Sequence, residues 1–189
     1  MAKRLLSLLV LIALVSCGEE DAIPRPRGYF RIDLPAHQYK QFETDCPFSF
    51  EIPDYALMTP GAQGAAQPCW LNLVFPAQKA TLHLSYRSIE KNLSDLTEDS
   101  RNLAYKHVVK SSGIAESLYE DPENHVYGIM YEINGNAASP LQFHVSDSSS
   151  HFLRGSLYFN TAPNADSLQP VNEFIREDVR HLISTVRWK

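Results

Sequence analysis

The sequence lacks the motifs that build chemistry. Neither Cys46 nor Cys69 belongs to a Cys-x-x-Cys pair or has a histidine close by in sequence, which leaves little basis for a metal site. No Gly-rich phosphate loop occurs, and the polar stretch Asn134–Ser139 reads as a hairpin loop. Gly155-Ser156 lacks the Gly-x-Ser-x-Gly turn that presents a nucleophile. Basic residues are in the minority, 17 Lys+Arg against 22 Asp+Glu for a formal charge of -5, which argues against a nucleic-acid partner. There is no internal repeat. The apolar run Leu5–Val15 falls short of the roughly 20 residues that a membrane-spanning helix needs. These absences give no basis for a catalytic residue, a metal or a cofactor.

What is present starts at the amino terminus. Lys3-Arg4, the run Leu5–Val15 and the small-residue site Leu14-Val15-Ser16-Cys17 have the order of an export signal. Its ending in cysteine is the lipoprotein pattern: residues 1–16 are removed and Cys17 becomes the diacylated first residue, usually with a third acyl chain such as palmitate. An ordinary secretory leader with an incidental cysteine is the alternative. Two or more chains anchor firmly where one does not. Loss of Lys3 and Arg4 with the leader makes the mature chain two charges more negative. The length left suits one domain on a tether: residues 17–45 as a lipidated tether and ordered arm, and 46–189 as the domain.

Within the arm, Gly18-Glu19-Glu20-Asp21 is short and acidic, and Pro24-Arg25-Pro26-Arg27 favours extended backbone. Gly28–Pro35 is too aromatic for a spacer; Tyr29, Arg31 and Asp33 alternate with Phe30, Ile32 and Leu34 as in an edge strand. Arg25, Arg27, Tyr29, Phe30 and Arg31 compose either a partner-contact patch, since arginine and aromatics are enriched at hot spots, or a segment that packs on its own domain. Outside the cytoplasm an even number of remaining cysteines favours a Cys46–Cys69 disulfide, with two reduced core cysteines as the alternative.

The domain reads as α+β. Alternating apolar residues predict strands at Phe48–Ile52, Cys69–Phe75, Ala80–Tyr86, Val126–Ile133, Leu141–Val145 and Phe152–Phe159, with a weaker one at Ile114–Tyr119. Residues 53–68 read as a loop. One helix is predicted from Asn92 or Ser94 to Lys110, on an imperfect face of Leu93, Leu96, Leu103, Ala104, His107 and Val108. A second, opened by Pro170, carries Val171, Phe174, Ile175, Val179, Leu182, Ile183 and Val186 at a helical period. Short connections predict a single domain whose antiparallel sheet packs against two principal helices.

Among polar residues, His83, His144 and His151 lie in or beside different strands, with Asp147 near, and would have to converge to make a metal or acid–base site. Each is expected opposite its strand's apolar residues, solvated or half-buried. His107 fits packing on a helical face, and His181 the favourable end of a helix. Glu177, Asp178 and Arg180 are expected to solvate the last helix.

Taken together, Pro24–Pro35, Cys46–Pro53, Cys69–Tyr86, His151–Phe159 and Phe174–Trp188 make the chain similar to the gliding-motility lipoproteins of the GldD type from Bacteroidetes. The likeness covers nearly the whole mature chain. It implies a non-catalytic envelope lipoprotein that supports gliding and the type IX secretion machinery, held by lipid, in the outer membrane. Scaffolding or assembly through contact with other gliding or secretion lipoproteins would be its role. A looser likeness connects the strand–helix order to the antiparallel α/β/α fold of PsbP and Mog1. Asp166-Ser167-Leu168 resembles the Asp-Ser/Thr-apolar acceptor pattern for O-glycosylation in Bacteroidetes, which would mark Ser167 in the loop before the last helix. Two other functions stand beside this one: a ligand-binding lipoprotein, which needs a concave pocket with convergent polar groups, and a hydrolase, which needs those histidines near a nucleophile or metal.

Overall fold

The computed structural model describes residues 32–189. A seven-stranded antiparallel sheet, in the order β3-β4-β5-β9-β8-β7-β6, forms the middle layer. Its strands are β3 (Leu57–Pro60), β4 (Trp70–Phe75), β5 (Ala80–Ser88), β6 (Ser111–Asp121), β7 (Val126–Gly135), β8 (Leu141–Ser146) and β9 (His151–Phe159). A second sheet of three strands sets β2 (Phe48–Pro53) between β1 (Tyr39–Phe42) and β10 (Arg187–Trp188). Helix α1 spans Leu93–Tyr105 and helix α2 spans Ala165–Ser184.

The main core lies between one face of the large sheet and the layer made by α2 and β2. Alternation sends Leu71, Leu73 and Phe75 of β4, Leu82 and Leu84 of β5, Phe143 of β8 and Leu157 of β9 to this face, where all are buried. They meet Phe48, Phe50 and Ile52 from β2 and Phe174, Ile175, Val179 and Leu182 from α2. Full burial of each such side chain contributes about 1.5–3 kcal/mol. Gly155 on β9 is fixed by this packing, because a Cβ there would run into the Phe143 ring. The other face carries a smaller cluster in which Ala104 of α1 meets Tyr131, Ile133 and Ala137. The layers are therefore α/β/α, with α1 on one side and α2 with the small sheet on the other.

Several elements differ from expectation for local reasons. The arm pairs at Tyr39–Phe42; of the edge strand expected at 29–34, residues 32–34 form no strand, and 29–31 fall outside the described residues. The predicted loop 53–68 contains β3, an edge strand that ends in Pro60, where an edge tolerates the missing N–H. Helix α1 stops at Tyr105, because the run His107-Val108-Val109 includes β-branched residues of poor helix propensity, and a 3₁₀ turn at Val108–Lys110 follows. Its buried stripe is Leu96, Ser100 and Ala104, one residue wide, whereas Leu103 and Val108 are exposed. Helix α2 begins at Ala165, five residues before Pro170, since the Asn164 side chain accepts the Ser167 N–H (3.4 Å) as a cap.

Candidate functional site

The most ordered polar cluster lies where the arm crosses α2. Val171, Phe174, Ile175, Val179 and Leu182 turn α2 to the core, and that same face brings in Asp178, which is 1% exposed. This corrects the expectation that Asp178 solvates the helix. A buried carboxylate requires donors, and three side chains from the amino-terminal half supply them. The Tyr55 hydroxyl bonds both carboxylate oxygens (2.8 and 2.7 Å), the Tyr39 hydroxyl bonds Oδ1 at 3.1 Å, and His37 Nδ1 lies 2.7 Å from Oδ1. His37 Nε2 faces Glu177 at 2.9 Å. The rings are stacked as well: His37 on Phe174 with centroids 4.4 Å apart, and Tyr39 on His181 at 3.6 Å. His181 Nε2 contacts Glu51 at 2.6 Å. Together these contacts latch the arm to α2.

Burial pushes the Asp178 carboxyl above its ordinary value of 3.8, against the opposing pull of Tyr55, His37 and Tyr39. Burial, then Asp178 itself, also raises the Tyr39 and Tyr55 hydroxyls. A raised carboxyl means that the folded chain binds this proton more readily than the unfolded chain does. The stability due to Asp178 is therefore gained as pH falls through the folded value toward 3.8, and lost as pH rises. Asp178→Asn is expected to unfold in urea at nearly the wild-type midpoint at pH 7 and to lose ground to wild type at pH 4. A difference that does not change with pH would contradict this account. Asp178→Ala orphans the tyrosine donors and is expected to cost about 2 kcal/mol at pH 7.

Cys46 and Cys69 form a disulfide with Cα atoms 5.6 Å apart. It ties the segment before β2 to the segment before β4, and so joins the small sheet to the large one. Cys17, Arg25, Arg27, Tyr29, Phe30 and Arg31 lie outside the described residues. Ser167 is exposed, but it sits in the first turn of α2, not in the loop expected for it. Arg180 pairs with Glu132 at 2.8 Å, and Trp188 donates its indole N–H to the His125 carbonyl at 3.0 Å.

The three strand histidines do not converge. His83 and His144 share a face but stand on β5 and β8 with β9 between them. His151 has the parity of Leu153 and Leu157 and occupies the opposite face, stacked on Trp188 and bonded to the Tyr86 hydroxyl at 2.9 Å. Its expected placement opposite the apolar residues is thus reversed. His144 is buried, not solvated, bonded to Ser100 Oγ at 3.2 Å and pushed down to about 4, first by burial and then by Arg154. His107 lies past the end of α1, edge-on to Tyr158. Asp147 serves a turn. Burial would raise it, but the N–H groups of His151, Ser150 and Ser149 bring it to about 2. Among the described residues no group of three His, Cys, Asp or Glu is placed to hold a metal ion.

The latch was hidden in the sequence because Asp178 stands in the charged run with Glu177 and Arg180, and His37 and Tyr55 are far from it along the chain. The one available signal was its position, four residues after Phe174 and one before Val179, on the apolar stripe.

Comparison with known proteins agrees with this architecture. Residues 19–188 match the family model described as gliding motility lipoprotein GldD. No curated protein matches the chain. Among solved structures, the solution structure of cyanobacterial PsbP (CyanoP) from Synechocystis sp. PCC 6803 is similar at a TM-score of 0.50 and 11% identity, covering 94% of this chain and 99% of that one. At such identity the likeness concerns the fold, an antiparallel sheet with helices on its faces.

Proposed function

The chain belongs to the gliding motility lipoprotein GldD family, a non-catalytic family associated with gliding and type IX secretion, and from that membership we propose that it acts as a scaffold or assembly factor, held by lipid on Cys17 in the outer membrane. The observation that carries this role is the latch. Three side chains from the amino-terminal half spend their polar groups on one buried carboxylate of α2. The chain from His37 onward is thereby fixed to the domain, and the segment bearing Arg25, Arg27, Tyr29 and Phe30 precedes it by only a few residues in sequence. Membrane attachment at one end and a docked arm at the other suit a module that works by contact. Its partners would be other gliding or secretion lipoproteins and envelope components.

The test replaces Arg25, Arg27, Tyr29 and Phe30 together by alanine in the full-length protein. Recovery of gliding or secretion components with the tagged variant, in mild detergent, is expected to fall about tenfold or more, as loss of a hot-spot cluster would produce. The domain should stay folded and melt at the wild-type temperature, as a contact patch requires; a large fall in melting temperature would instead assign the segment to packing on its own domain. Unchanged co-purification would reject the arm as the contact.

A further inference from the structure

The face of the large sheet opposite the main core is unusually polar. Helix α1 packs on this face against β8 and β9. Four buried polar atoms on this face have no hydrogen-bond partner: Tyr131 Oη, Gln142 Nε2, Ser156 Oγ and Arg154 Nε. The register explains their grouping. Tyr131, Gln142, Ser156 and His83 face one another across β7, β8, β9 and β5, and Arg154 lies two residues along β9 from Ser156. Arg154 donates through Nη2 to Gln142 Oε1 at 2.6 Å, and among the described residues it pairs with no carboxylate. A half-buried cation held by a neutral amide is a costly arrangement to keep.

Arg154 opens on a depression of about 330 Å³ that it lines with Trp70, Asn72, His83 and Ser85, rimmed by residues 61–63 of the β3–β4 connection. We propose that this depression binds the carboxylate of an N-acylated amino acid or peptide carboxyl terminus, with Arg154 as its counter-ion, His83 Nε2 accepting the neighbouring amide N–H and Trp70 supporting the side chain. The roles follow from hydrogen-bond direction. Asn72 donates its Nδ2 to the Pro60 carbonyl (3.3 Å), so its Oδ1 accepts from His83 Nδ1 at 2.7 Å. A neutral His83 then presents Nε2 as an acceptor. The site thus offers one cation, one acceptor and an indole, which is the complement of a carboxylate beside an amide and an apolar group. Charge selects a monoanion. Burial lowers His83, His107 and His144, the last two also through Arg154, so none adds a charge at neutral pH. Arg87, 5.8 Å over the Trp70 ring, is exposed and screened by solvent.

The test uses the full-length lipidated protein in detergent, with binding followed by saturation-transfer NMR. N-acetyl-phenylalanine should bind, and N-acetyl-phenylalanine amide at least about tenfold more weakly, since it lacks the charge. An acetylated tetrapeptide ending in phenylalanine that binds more tightly would assign the site to a chain end, and equal binding to the free N-acyl amino acid. Arg154→Gln should lose the preference for the acid while melting at or above the wild-type temperature; a merely structural arginine would lower it. Should that variant not fold, His83→Ala, which removes the acceptor without touching the main core, should weaken the acid at least several-fold. Equal binding of acid and amide, tighter binding of inorganic phosphate, or no binding of either acid to wild type would overturn the proposal.

Discussion

Replacing Cys17 by serine is expected to abolish incorporation of a fatty-acid label and to remove the protein from the outer-membrane fraction altogether. The expectation rests on the leader, whose apolar run Leu5–Val15 ends in Leu14-Val15-Ser16-Cys17. Each buried methylene of an acyl chain adds about 0.8 kcal/mol, so two chains separate held from released by many powers of ten. No helix among the described residues is long and apolar enough to cross a membrane. Serine offers no thiol for the thioether bond, although its size preserves the export signal. The variant should therefore be exported without a lipid, or remain uncleaved at the inner membrane. Gliding and secretion should fail in both cases, while the domain stays folded. A serine variant that still takes up the label, or still fractionates with the outer membrane, would show that the anchor lies elsewhere.

Removing the disulfide should be the most damaging change to the domain itself. In the chain-entropy account, opening the Cys46–Cys69 loop, with a separation of 23, forfeits roughly 3.4 kcal/mol at 25 °C. For a chain of this size that corresponds to a fall of about 10 °C in melting temperature. The Cys46→Ala/Cys69→Ala double variant also empties volume at a buried position, since Cys46 is 4% exposed. Thermal unfolding of wild type with and without reductant, beside the double variant, gives the measurement. A shift of under about 2 °C would mean that the two sheets hold together without the bond. Because the bridge joins two sheets, its loss should loosen β1, β2 and β10 before β4 and β5, an order that amide exchange can read.

Strands with clean alternation were legible from the sequence: β4, β5, β8 and β9 begin and end within a few residues of their predicted limits, because burial of one face fixes their period. β1 and β3 were not. Each has four residues and little burial, so pairing with a neighbour defines them and their own composition does not. The polar groups were harder still. Asp178 resembled a surface charge until Tyr39, Tyr55 and His37 came to it from more than a hundred residues away. Nothing in the sequence singles out Arg154, whose neighbours across the sheet are Ser85 and His144. Period reports which side a residue faces, and only tertiary structure reports whether that side is covered.

The latch also has a mechanical consequence. Cell movement would apply drag to a domain tethered at its amino terminus, and the pull would enter through the arm. Residue 39 pairs with residue 53 at the end of the β1–β2 ladder nearest the tether, so tension there would peel β1 away one hydrogen bond at a time. His37 is clamped to Asp178 two residues earlier, and Tyr39 and Tyr55 grip the same carboxylate. These side chains would have to part together before peeling could begin. One buried carboxylate would then set the force at which the tether tears free.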